Sequence, residues 1–135
     1  SFIGHIIPES MMMTYALAAF PFPILFRKMA GESVLLSGRG AFVGMSADDN
    51  ALTFYEDNCI FMEHGDRFIV YTDGITEARR EDGTVWGNEK LKTAFTESLT
   101  LPIPAAIQKI IEQQERFCEG LVSTDDRTIL MVEMV

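Results

Sequence analysis

The sequence has 135 residues, 47% hydrophobic and 23% charged, a balance that excludes a disordered chain and suits one globular domain with a buried core. Its formal net charge of −9 repels nucleic-acid phosphates and anionic lipid, so neither is expected as a partner. Cys59 and Cys118 lack C-x-x-C spacing, which gives no zinc ribbon or disulfide framework, and the longest apolar run, Met11 to Phe26, is short for a membrane span and broken by Pro21 and Pro23. A soluble protein of a reducing cytoplasm is expected.

From Ser1 to Thr72, short apolar segments alternate with turn residues, the pattern of successive antiparallel strands. Phe2 to Ile7 reads as a strand, Pro8-Glu9-Ser10 as a turn and Met12 to Ala18 as the returning strand. Ile24 to Arg27 and Ser33 to Leu36 form a further pair around Ala30-Gly31-Glu32. A loop carrying Asp48-Asp49-Asn50 leads to strands near Leu52 to Tyr55 and Cys59 to Met62, and Gly65-Asp66 turns the chain into the apolar strand Phe68 to Thr72. These strands predict a multi-strand, meander-like sheet.

Beyond Asp73 the period becomes helical. Leu91, Ala94, Phe95 and Leu99 share one face, as do Ile103, Ile107, Ile110, Ile111, Gln114 and Phe117, with Pro102 and Pro104 opening the second helix and Gly120 closing it. Thr128 to Val135 predicts a final strand. The fold class expected is α+β, with two amphipathic helices on one face of an antiparallel sheet.

Two acidic motifs frame the helical region: Tyr71-Thr72-Asp73-Gly74-Ile75-Thr76-Glu77-Ala78 and Asp125-Asp126-Arg127-Thr128-Ile129-Leu130-Met131-Val132. Phe68 to Tyr71 is apolar on both sides, which predicts a central strand, with Asp73 where it leaves the core and a glycine next to allow a tight turn. Asp73-Gly74 alone is equally the dipeptide of an ordinary turn, and Asp125-Asp126 alone that of a solvated loop. If the two strands are antiparallel neighbours, both carboxylates emerge at one sheet edge, where converging oxygens suit a divalent cation.

The strand with Tyr-Thr-Asp-Gly-Ile-Thr-Glu-Ala, the segment Gly-Thr-Val-Trp-Gly-Asn-Glu-Lys-Leu at 83 to 91 and the terminal Asp-Asp-Arg-Thr-Ile-Leu-Met-Val resemble bacterial PPM-type (PP2C-like) serine/threonine phosphatases of the sporulation and stress-response regulator class. The resemblance runs in order across nearly the whole chain. It implies an α-β-β-α sandwich with a two-metal manganese or magnesium centre at one edge of the sheets, of which residues 1 to 135 form the C-terminal portion. Asp73 and Asp125 are implied as metal ligands, Gly74 as part of the same site, and Asp126 as the alternative at the second position. The implied reaction is hydrolysis of phosphoserine or phosphothreonine on a regulatory protein of the anti-sigma-factor antagonist type, downstream of a sensor or receiver domain in the intact protein.

The sequence departs from that pattern twice. The Gly-Asp and Asp-Val-Ser-Gly-type motifs that complete the cage in the family have no counterpart, and Leu17-Ala18-Ala19-Phe20-Pro21 stands where such phosphatases resemble Asn-Ala-Gly-His-x-Pro. Two explanations fit. Either this is a cut-down piece of a longer regulator, as the absence of an initiating methionine suggests, inactive or weakly active alone, or it is a degenerate module used for binding or dimerisation. Unpaired sheet edges would favour a homodimer. Arg79 and Arg80 are candidates for meeting a substrate phosphate or residues of a solvated turn. His5 and His64 read as structural, and Met11-Met12-Met13 as core strand rather than a soft-metal site.

Overall fold

The computed structural model describes residues 1–41, 43, 55–119, 121 and 125–135. The Asp48-Asp49-Asn50 loop, Leu52 to Phe54 and Gly120 therefore lie outside the described residues. Strands β1 (Phe2–Ile7), β2 (Met12–Leu17) and β5 (Asn58–Phe61) form one antiparallel sheet in the order β1-β2-β5. Strands β3 (Ile24–Arg27), β4 (Glu32–Leu35), β6 (Arg67–Tyr71) and β7 (Ile129–Glu133) form a second, in the order β4-β3-β6-β7. Helices α1 (Asp73–Thr76), α2 (Gly87–Ser98) and α3 (Ile103–Phe117) fall between β6 and β7 in sequence.

The meander read from the strand pattern is corrected to two sheets, as the sandwich implied by the resemblance requires. Strand β5 pairs with β2 rather than continuing from β4, and β6 inserts between β3 and β7. The cause is β6 itself: all five of its residues are buried, so it needs strands on both edges and a packed layer on both faces. Its odd and even residues meet different layers. Ile69 and Tyr71 join Ile24 and Met131 under Leu91, Phe95 and Ile110 of the helices. Phe68 and Val70 join Leu25 and Met134 against Met13, Tyr15 and Leu17 of the three-stranded sheet. The result is a helix layer, a four-stranded sheet and a three-stranded sheet, with an apolar core in each gap.

Helix α2 buries Leu91, Ala94, Phe95 and Ser98, one face at helical spacing. Helix α3 opens at Pro102 and Pro104, where the first turn has no internal acceptor for an N–H, and its most buried line is Ala106, Ile110 and Gln114. The flanking Ile103, Ile107, Ile111 and Phe117 pack beside that line, half-buried. Met13 is fully buried between the sheets and Met12 opens β2, whereas Met11 falls in the turn before it with a positive φ of 52°, so the expected core strand holds for Met12 and Met13 only.

Two charged residues fasten one end of the four-stranded sheet, where β6 begins. Asp66, fully buried, accepts from the Arg27 guanidinium at 2.9 Å and from the Lys28 and Glu63 backbone N–H groups. Arg67 donates to the Leu101 carbonyl between α2 and α3 and to Glu133 on β7. Each satisfies buried polar groups that would otherwise be costly to leave unpaired. No helix among the described residues is long and apolar enough to cross a membrane.

Candidate functional site

Strands β6 and β7 are antiparallel neighbours with Tyr71 opposite Ile129, so the residues that follow β6 and those that precede β7 share one end of the sheet. Three hydrogen bonds continue the pairing past the last ladder residues. The Thr72 N–H donates to the Thr128 carbonyl (3.1 Å), the Thr128 N–H donates to Thr72 Oγ1 (2.9 Å), and that hydroxyl donates to the Asp126 carbonyl (2.8 Å). Thr72 occupies the N-cap position of α1, yet its side chain makes no capping bond because it is held by the approach to β7.

Asp73 begins α1, a single helical turn closed by the Glu77 N–H on the Asp73 carbonyl at 2.7 Å. Its carboxylate is exposed, with Oδ1 accepting from the Gly74 N–H at 3.1 Å. Gly74 is buried, and a β-carbon there would lie 2.5 Å from the Asp126 carbonyl oxygen and 3.4 Å from the Asp125 carbonyl carbon. The reason for the glycine is therefore close approach of the second motif, not a left-handed turn: its φ is not among the positive values of the chain. Asp125 and Asp126 are exposed, and Asp125 Oδ1 accepts from the Asp126 N–H at 2.9 Å. The two motifs, 52 positions apart between Asp73 and Asp125, thus meet backbone to backbone.

Gln114, 1% exposed on α3, stands behind this junction. Its Nε2 donates to the Ile75 carbonyl at 2.7 Å and the Gly74 carbonyl at 3.3 Å, while its Oε1 accepts from Arg127 at 2.9 Å. Arg127 also pairs with Glu115 at 3.4 Å. Two carbonyls on one side and a guanidinium on the other leave the amide one consistent orientation. Sequence reading placed Gln114 on the apolar face of its helix without assigning it a task. A polar residue within a buried stripe was the available signal.

The remaining candidates make other contacts. Arg79 is exposed and forms an isolated bridge with Val85, which closes a hairpin turned at Gly83. Arg80 is committed to the end of α3: its Nε donates to the Phe117 carbonyl at 2.8 Å, its guanidinium lies 4.5 Å from the Phe117 ring centre, and it pairs with Glu119 at 3.7 Å. His5 and His64 are exposed. Burial pushes the Cys118 thiol above its ordinary value, with the Arg127 and Arg80 charges pulling the other way. Such a thiol stays protonated and is a poor nucleophile.

The side chains carried on the two motifs are the exposed Asp73, Asp125 and Asp126, oxygen donors of the kind that hard cations take. The number is short of a cage, since among the described residues no three His, Cys, Asp or Glu side chains come together to hold an ion.

No curated protein sequence matches the chain. Solved structures do. The RsbU and RsbW domains of Rv1364c from Mycobacterium tuberculosis superpose with a TM-score of 0.76 at 19% identity, over 98% of this chain and 35% of that one. The SiaA-PP2C domain of Pseudomonas aeruginosa gives 0.72 at 19% identity, over 91% of this chain and 46% of that one. The manganese-presoaked phosphatase domain of the cell fate determinant SpoIIE from Bacillus subtilis gives 0.68 at 16% identity, over 99% of this chain and 56% of that one. The chain therefore has a PP2C-like α+β fold and spans between a third and three fifths of these structures. The profile of Stage II sporulation protein E (SpoIIE) matches residues 1–135, and the chain belongs to that family.

Proposed function

We propose that residues 1–135 are the C-terminal portion of a metal-dependent serine/threonine phosphatase domain, and that Asp73 and Asp125, with Gly74 and Asp126 beside them, contribute one side of its manganese or magnesium site. The observation that carries this reading is the junction itself: Gly74 packs against the Asp125–Asp126 backbone, so two acidic motifs distant in sequence share one sheet end. The manganese-presoaked B. subtilis SpoIIE phosphatase domain, of like fold, supports the choice of cation. Bound cations would supply an activated water and offset charge on the phosphoryl group. The chain's own part is to hold Asp73 at the end of a buried strand and Asp125 at the start of its neighbour. Because the Gly-Asp and Asp-Val-Ser-Gly-type motifs of the resemblance have no counterpart in residues 1–135, this reading takes further ligands from elsewhere in the intact protein and gives 1–135 alone weak or no activity.

The substrate in this reading is a phosphoserine or phosphothreonine of a regulatory protein of the anti-sigma-factor antagonist type, in the cytoplasm, with an upstream sensor or receiver domain setting activity. The net charge of −9 is consistent with a protein partner rather than nucleic acid or an anionic membrane surface. Manganese-dependent hydrolysis of a phosphoserine peptide by the full-length protein, abolished in Asp73→Asn and Asp125→Asn, tests the assignment. Activity that survives both substitutions would refute it.

A degenerate binding or dimerisation module is the second reading, favoured by the apolar Leu17-Ala18-Ala19-Phe20-Pro21 segment. Ile3 at 73% and Phe61 at 67% exposure also leave apolar side chains on the three-stranded sheet. Self-association without turnover by the full-length protein would establish it, and a monodisperse monomer by light scattering would remove its dimer arm.

A further inference from the structure

Among the described residues, Gln114 reaches from the helix layer to both acidic motifs. Its buried carboxamide spends both N–H donors on α1 carbonyls and its oxygen on Arg127, the residue directly after Asp125-Asp126. Without Gln114, the Gly74 and Ile75 carbonyls would lose a buried donor, and Arg127 would keep only its pairing with Glu115, at 3.4 Å from a half-exposed carboxylate. A four-residue helix has little stability of its own, since one turn fixes its backbone for a single hydrogen bond. The orientation of α1 must come from outside it. The contacts that supply this are Thr72 on the strand side and Gln114 on the helix side.

We propose that Gln114 is a positioning residue: it clamps the α1 turn that carries Asp73 and Gly74 to the Arg127 segment that carries Asp125 and Asp126, so that placement of α3 sets the spacing of the two acidic motifs. The inference rests on the cation reading for its consequence but on hydrogen bonds for its substance. It makes α3 a lever on the site, because a shift of the helix moves both motifs through one amide. Groups that hold ligands in place without touching the metal commonly alter its affinity by about 10–100-fold.

The test uses Gln114→Glu, which keeps size and the Arg127 partner but removes both donors, and Arg127→Ala, which removes the guanidinium from a side chain 33% exposed and is the variant more certain to fold. Two quantities are read: amide hydrogen exchange without metal, and manganese affinity by calorimetry. The Ile75 and Glu77 amides, which close α1 on Thr72 and Asp73, are expected to exchange about tenfold faster in Gln114→Glu and by a smaller factor in Arg127→Ala, while α3 and β6 amides keep their wild-type rates. Manganese affinity should fall by about 10–100-fold in Gln114→Glu. Unchanged α1 exchange in both variants, or acceleration spread equally through α3 and β6, would overturn the proposal. If the wild-type protein binds no manganese, the cation reading fails, and the exchange measurement still decides whether Gln114 positions α1.

Discussion

A β-carbon on Gly74 would stand 2.5 Å from the carbonyl oxygen of Asp126, a contact no real side chain tolerates against backbone. The space between the two acidic motifs is therefore as narrow as a hydrogen atom on residue 74 allows. Gly74→Ala has to push the Asp126 segment away from α1, at a cost of about 1–3 kcal/mol for overpacking. Chemical denaturation should show that loss, and manganese affinity should fall with it. A variant as stable as the wild type would mean that the approach to β7 yields freely and that the junction is not a fixed spacing.

Asp66 makes a contrasting case, since it is buried and charged yet lies at the opposite end of β6 from Asp73. Asp66→Ala takes the acceptor from the Lys28 and Glu63 N–H groups and leaves the partly exposed Arg27 guanidinium with the Phe61 carbonyl, and each buried donor left unsatisfied costs about 1–3 kcal/mol. The expected result is a large drop in denaturation midpoint. Any manganese affinity of the remaining folded fraction should match the wild type, because this cluster serves the sheet and not the site.

The pH dependence at the alkaline end follows from Tyr71. Its hydroxyl lies 2.9 Å from the Phe22 carbonyl and 3.1 Å from Asn88 Oδ1, and burial pushes the phenol up to about 12 from 10.0. The folded state thus holds the proton more tightly than the unfolded chain does. Its contribution to stability is complete below pH 10 and is lost as pH rises through about 12. Thermal unfolding between these limits should fall more gently in Tyr71→Phe. The same variant at neutral pH should lose about 0.5–1.5 kcal/mol, the net value of one hydrogen bond.

Residues whose patterns are local were legible in the sequence. Phe68 to Tyr71, apolar on both sides, announces a central strand, and β6 is that strand. The spacing of Leu91, Ala94 and Phe95 gives the buried face of α2. The split into two sheets was implied by the family resemblance but not legible in the strand pattern, because it depends on β5 choosing β2 over β4, a long-range pairing that no local pattern encodes. The start of β4 at Glu32 rather than Ser33 has a similar cause, since Glu32 pairs across the hairpin with Arg27. At the junction, the placing of the Asp73 and Asp125 motifs at one sheet end followed from one assumption about strand neighbours, which the β6–β7 ladder meets. The role of Gly74 did not, because a close approach by Asp126 leaves no mark in the sequence that distinguishes it from a turn glycine. Gln114 and Thr72 escaped for the same reason: their partners are 39 and 54 positions away.

The most direct test of the account is manganese titrated calorimetrically into the full-length protein and into its Asp73→Asn variant. The account predicts saturable binding that Asp73→Asn weakens by at least about tenfold, since a removed carboxylate takes both charge and a ligand from a hard cation. Equal affinity in the two proteins, or none in either, would contradict the claim that the end of β6 and the start of β7 together form a cation site.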